Sequence, residues 1–160
     1  MKIWFDHGHD KVVLVGQAPS KDTEGRSPFS GRSGKRIAEL MDIPHNELAH
    51  HFALANILDY WPGKHGKGDA FPLSDALAKG KRAREHLRDR RVVAFGASVV
   101  KVLGYEITDD LMLQFAARAI GRTGSMLLAF VPHPSGINRW WNDPQNTRRA
   151  RTFLHRVARW

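Results

Sequence analysis

Four short apolar runs, each followed within a few residues by glycine or proline, constrain this chain more than any other feature. They are "KVVLVG" (residues 11–16), "HFALANIL" (51–58), "RVVAFG" (91–96) and "MLLAFVP" (126–132). None shows the apolar-polar alternation of a half-exposed strand, so each reads as a strand covered on both faces, as in parallel sheets. Helical patterns lie between them. "GKRIAELM" sets Ile37, Leu40 and Met41 at i, i+3 and i+4, and Ala76, Gly80, Ala83 and Leu87 form a narrow stripe behind Ser74, a candidate N-cap. "SVVKVLG" reads as a short helix ending at Gly104, and residues 109–120 read as another. A last helix, over about residues 145–159, would bury Ala150, Phe153, Leu154 and Val157. Strands alternating with helices predict an α/β fold: three layers, α/β/α, around a central four-stranded, mostly parallel sheet, in one domain over residues 1–160.

Ligands of such sheets gather at the carboxyl ends of the strands. That rule selects "GQAPS" after the first strand, "NILDYWPG" after the second, "GAS" with Ser98 after the third and "HPSGINR" after the fourth. The fourth loop is unusual, because it carries a histidine, an isoleucine and an arginine and then two tryptophans, where most loops are small and polar. At least one of Trp140 and Trp141 is expected to pack against the loop itself.

Composition removes several chemistries. The chain has no cysteine, which excludes disulfides, thiolate zinc sites, a cysteine nucleophile and cysteine-held iron–sulfur clusters. Nine histidines remain as metal ligands, but "HGHD" (7–10) precedes the first strand and "HNELAHH" (45–51) lacks an accepted zinc spacing, so no metal is expected. No apolar run reaches the roughly 18 residues of a membrane span, and no signal peptide is visible, so a cytoplasmic protein with no membrane partner is expected. The net charge is +9, and it is clustered: residues 79–91 hold seven basic against two acidic residues, and residues 139–160 hold six arginines and one aspartate. Such blocks suit a polyanion unless they are merely solvated helix faces.

Individual residues allow a structural and a functional reading. Gly16 permits a sharp turn after the first strand, and Pro19 stiffens the loop that follows. Phe29, in the glycine- and serine-rich "GRSPFSGRSGKR", either anchors that loop on the core or offers a stacking face to a planar base. Asn56, inside an apolar run, either bonds to the backbone or reads a base edge, since its amide has one acceptor and two donors. His133 and Ser135 stand where the fourth strand ends, where an imidazole can donate to a developing oxyanion and a hydroxyl can hold a phosphate.

Taken in order, "GQAPS", "GRSPFSGRSGKRI", "LANILDYWPG", "VVAFGASVVKVLG" and "VPHPSGINR" resemble the motifs of the uracil-DNA glycosylase superfamily, over most of the chain from Val12 to Arg139. The first motif is most similar to the branch that has "GEAPG" there, although that branch carries four cluster-binding cysteines and this chain has none. The resemblance implies a monofunctional DNA glycosylase that needs no cofactor and works as a monomer. It implies that His133 stabilises the departing base, that Phe29 stacks on it, and that Asn56 reads its edge with Ala18 nearby. Pro134, Ser135 and Gly136 would press the DNA backbone, Ile137 with Arg139 would fill the gap left by the flipped nucleotide, and Asn138 and Ser98 would complete the DNA-facing set.

The chain departs from the family at the water-activating position. Ala18 stands where the best-known branch has an aspartate, and Gln17 stands where the "GEAPG" branch has an acid. Gln17 could orient water as a neutral amide; Asp22 and Glu24 on the same loop, and Asp59 three residues after Asn56, are the nearest carboxylates. The altered motif leaves open a different base, including a hypermodified pyrimidine of foreign DNA excised in antiviral defence. Two further readings are a binding module that has lost hydrolysis and an enzyme of free nucleosides; the basic blocks and the wedge-like loop speak against the latter.

Overall fold

A computed structural model describes residues 1–6, 10–66, 68–108, 112–119, 125–136 and 138–159. In chain order the elements are β1 (Ile3–Trp4), β2 (Val13–Gly16), α1 (Arg32–Leu40), α2 (Leu48–His51), β3 (Ala53–Asn56), β4 (Lys64–His65), β5 (Gly68–Asp69), α3 (Leu73–His86), β6 (Arg91–Phe95), α4 (Ala97–Val102), β7 (Ala116–Ala119), β8 (Ser125–Val131) and α5 (Pro144–Val157). All four apolar runs form strands. They lie side by side as β3-β2-β6-β8, every neighbour parallel, with Gly16 opposite Asn56, Val15 opposite Ala94 and Phe95 opposite Val131.

The sheet is wider than the sequence predicts. It has six strands, because β1 adds antiparallel to β3 and β7 adds antiparallel to β8. The second addition overturns the helix expected over residues 109–120: Ala116–Ala119 is a strand, with Ala117 opposite Leu127 and Arg118 opposite Met126, while residues 109–111 and 120 lie outside the described residues. A short apolar run fits helix or strand equally well by periodicity. Here the unpaired amides along the outer edge of β8 decide the outcome by pairing with it. Ser74 is a second correction. The helix begins at Leu73 with Pro72 at the N-cap, so Ser74 sits inside the first turn; proline's fixed φ and missing N–H suit that boundary.

Alternate residues of the strands feed two cores. Val13, Val15, Ala53, Ala55, Val92, Ala94 and Leu128 pack under α3 and α4, through Ala76, Ala83, Leu87, Val99 and Val102. Leu14, Leu54, Val93, Phe95, Ala129 and Val131 pack under α1 and α5, through Ile37, Leu40, Ala150, Phe153 and Leu154. Helices therefore cover both faces, which explains the absence of polar alternation in the strands. The narrow stripe on α3 follows from close packing, because a side chain on Gly80 would collide with the Val102 carbonyl of α4.

Much of the basic block at residues 79–91 holds the fold together. Arg90, 3% exposed, donates both guanidinium ends to Asp6 at 2.8 Å and also reaches the Lys11 carbonyl. Arg84 bonds the Val102 carbonyl, Arg91 the Asp10 carbonyl, and Lys79 pairs with Asp59 at 2.9 Å. The arginines of α5 and of the turn that follows it are different. Arg148, Arg149, Arg156 and Arg159 are exposed, and Arg151 pairs with Asp42 at 2.8 Å. No helix of the described residues is long and apolar enough to cross a membrane.

Candidate functional site

The carboxyl ends of β3, β2, β6 and β8 form one edge of the sheet, and two glycines on it bring the polar side chains together. The first is Gly16. A Cβ there would stand 2.5 Å from Asn56 Oδ1 and 3.2 Å from Phe29 Cζ, so the bare α-carbon makes room for an amide and an aromatic ring side by side. The strand register produces the first neighbour, since Gly16 is paired with Asn56, and the pairing continues as Ile57 and Leu58 donate to the carbonyls of Gly16 and Gln17. Asn56 is half-buried at the point where the strand leaves the core.

Gly96 is the second. Its φ of 103° is open to glycine and strained for other residues. It turns the chain sharply from β6 into α4, and its amide donates to the Val131 carbonyl of β8 at 2.9 Å. A Cβ on Gly96 would stand 3.3 Å from both Gln17 Nε2 and His133 Cβ. Gln17, from the loop after β2, and His133, from the loop after β8, thus both border Gly96 at the end of β6. Ser98 is half-buried in the first turn of α4, just beyond this glycine.

His133 sits on a braced segment. Its carbonyl accepts from Trp141 Nε1 at 3.0 Å and from Asn138 Nδ2 at 3.2 Å, while Asn138 Oδ1 accepts from the Trp140 amide. Trp141 is buried and meets Trp140 edge to face at 4.8 Å, with the Arg36 guanidinium 5.0 Å above its ring. Asn146 and Thr147 of α5 bind the Trp140 and Trp141 carbonyls. The tryptophans that looked out of place in a loop therefore fasten it to α5. Burial pushes the His133 imidazole below its ordinary pKa, so it is neutral at neutral pH and can donate one hydrogen bond without carrying charge. Pro134 is buried, Ser135 half-buried, and Gly136 and Arg139 exposed; Ile137 lies outside the described residues. Asn138 spends its side chain inside the loop.

Phe29 anchors its loop on the core. Its ring packs edge to face on Phe95 at 5.4 Å and also reaches the Gly16–Asn56 contact. Ala18 is half-buried beside Gln17 and packs against the α3/α4 core. The acids are placed differently. Asp22 is exposed on a 3-10 turn, Glu24 Oε1 accepts from the Trp61 amide at 2.9 Å, and Lys79 holds the Asp59 carboxyl below its usual range. Among the described residues no group of three or more histidines and acids is arranged to hold a metal ion; His7 and His9 lie outside them, and Asp10 is exposed.

Sequence reasoning missed His45, whose Nε2 donates to the Phe29 carbonyl at 2.8 Å. It also missed the role of Gly34, where any side chain would collide with that carbonyl. The "SGRSG" spacing held the second signal; nothing in the sequence pointed to the first.

The edge thus presents an aromatic face, an amide, a second neutral amide and a neutral imidazole, a set able to hold a planar polar ring and donate to an oxygen on it. No curated protein is found to match the chain. The family model described as the uracil DNA glycosylase superfamily matches residues 4–157, and the chain belongs to that superfamily.

Proposed function

We propose that this protein is a monofunctional DNA glycosylase, which flips a target base out of DNA and hydrolyses its N-glycosidic bond to leave an abasic site. The observation that carries this reading is the convergence of Asn56, Phe29, Gln17 and His133 around Gly16 and Gly96 on one sheet edge. Eversion costs a few kcal/mol, which exposed arginines on the phosphates and the loop at residues 133–139 would supply. Phe29 would stack on the everted base, and the Asn56 amide would read its edge. As the bond stretches, negative charge gathers on the base, and the neutral His133 imidazole donates to its oxygen. Such a donor is typically worth about 10² to 10³ in rate.

The Gln17 amide, which borders Gly96 as His133 does, would orient the water. The water oxygen joins the sugar carbon, and its proton balances the anionic base as that leaves. Asp22 is the remaining carboxylate candidate; Glu24 and Asp59 have partners elsewhere. Pro134, Ser135, Gly136 and Ser98 would face the phosphates, with Ile137 and Arg139 at the vacated position. We take the working unit to be a cytoplasmic monomer without a cofactor. Uracil, a damaged base or a hypermodified pyrimidine of foreign DNA each fits this reading.

Purified protein incubated with duplexes carrying uracil, hypoxanthine, xanthine or bulky modified pyrimidines should leave alkali-labile sites in at least one, and His133→Ala or Asn56→Ala should abolish them while DNA binding survives. Ala18 at the aspartate position of the best-known branch supports a second reading, a binding module without hydrolysis. That module would bind as tightly and leave every base in place.

A further inference from the structure

Phe29 is held in a backbone geometry that phenylalanine rarely adopts. Its φ is 61°, in the left-handed region, and the cost of that conformation persists only where the surroundings impose it. Three contacts impose it here. His45 Nε2 donates to the Phe29 carbonyl at 2.8 Å. Gly34, in the first turn of α1, leaves open the space that carbonyl occupies, and a Cβ there would also stand 2.8 Å from His45 Nε2. The ring then closes on Phe95 at 5.4 Å, and its far end stops against Gly16, beside Asn56.

We propose that His45 is a positioning residue: with the gap at Gly34 it forms a clamp on the Phe29 carbonyl that presets the aromatic ring as a stacking platform before any nucleotide enters. This rests on the reading of Phe29 as the stacking residue. His45 acts in this proposal through the Phe29 carbonyl alone. It stands at the start of the 3-10 turn His45–Glu47, sixteen residues beyond Phe29, and reaches back across α1. The loop at residues 25–31 is rich in glycine and serine, so without the clamp its backbone would sample many conformers and the ring would have to be ordered at each binding event. Ordering it beforehand removes that cost from binding.

Two substitutions of similar size separate the donor from the volume. His45→Gln keeps an N–H near the position of Nε2, and His45→Met removes it. With 4-fluorophenylalanine at position 29, the wild type and H45Q should each give one sharp 19F resonance, and H45M a broadened or multiple one. On a duplex carrying a base that the wild type excises, H45M should lose on the order of tenfold to a hundredfold in kcat/KM, and H45Q should recover most of it. Thermal unfolding of both variants shows whether the loss merely tracks stability. A sharp, unshifted resonance and unchanged kcat/KM in H45M overturn the proposal. If H45M does not fold, His45→Asn, too short to place an N–H where Nε2 stands, decides it: a broadened line supports the clamp, and a sharp, unshifted line overturns it. Should the wild type excise nothing, the glycosylase reading fails, while the 19F spectra still test the clamp.

Discussion

The Asn56 side-chain oxygen lies against the bare α-carbon of Gly16, close enough that a Cβ added there would stand 2.5 Å from it. Gly16→Ala must therefore displace Asn56 or Phe29, whose Cζ would be 3.2 Å away. Gly16 has no positive φ, so alanine meets crowding there and no backbone strain. Overpacking of this kind costs about 1–3 kcal/mol. Base excision by G16A should fall by roughly 10² or more, because the recognition geometry is lost. A variant with normal excision kinetics would show that the Asn56 amide does not read the base.

Gly96 should be the less tolerant of the two. Gly96→Ala adds strain at φ 103° to contacts of 3.3 Å with Gln17 and His133. Roughly 1–3 kcal/mol of destabilisation is expected from the backbone alone, visible in urea unfolding. Comparing G16A with G96A by the same method separates crowding from strain.

His133 should contribute to the acid sensitivity of the fold. Burial lowers its pKa in the folded protein below the ordinary 6.5 of the unfolded chain. Well above that value both states hold a neutral ring, and the group adds nothing to the pH dependence of stability. As the pH falls through 6.5 and below, the unfolded state takes up the proton first, so stability declines until the folded-state pKa is reached. His133→Asn, which cannot titrate, should show a shallower loss of stability between about pH 7.5 and 5. Identical acid limbs in urea unfolding would remove this assignment.

Trp141 links the loop to the helix that carries it. Trp141→Phe keeps most of the apolar packing and deletes the 3.0 Å bond to the His133 carbonyl. A loss of about 1 kcal/mol in stability is expected from the hydrogen bond. Excision should fall by more than that loss predicts, since the carbonyl fixes the imidazole. Trp141→Ala should cost about 3–5 kcal/mol through the cavity it leaves.

The two basic blocks should behave oppositely toward DNA. Arg90→Ala leaves the Asp6 carboxylate without its bidentate partner and should destabilise by about 3–5 kcal/mol. The salt dependence of DNA binding should stay as it was. Arg148→Ala with Arg149→Ala should barely change stability, and the slope of log K against log salt should become shallower by about one for each phosphate that is no longer neutralised. Equal slopes in the double variant would place the DNA elsewhere on the protein.

The parallel core and the edge that carries the candidate residues were legible from the residues alone. Runs such as "KVVLVG" and "RVVAFG" have no polar face, so only a sheet covered by helices on both sides can hold them, and the carboxyl ends of those strands follow from the chain direction. Asn56 and His133 stood out in the same way, as polar groups at the ends of apolar strands. Tertiary structure decided the rest. Residues 116–119 became a strand because the edge of β8 offered unpaired backbone, a long-range condition that periodicity does not register. Four of the seven basic residues in one block took partners within the fold once Asp6, Asp10, Asp59 and Val102 came against them. The approach of Gln17 and His133 to Gly96, and of His45 to the Phe29 carbonyl over Gly34, depends on clearances that only a missing Cβ leaves between segments far apart in the chain. Close packing sets such clearances, and only the folded chain has it.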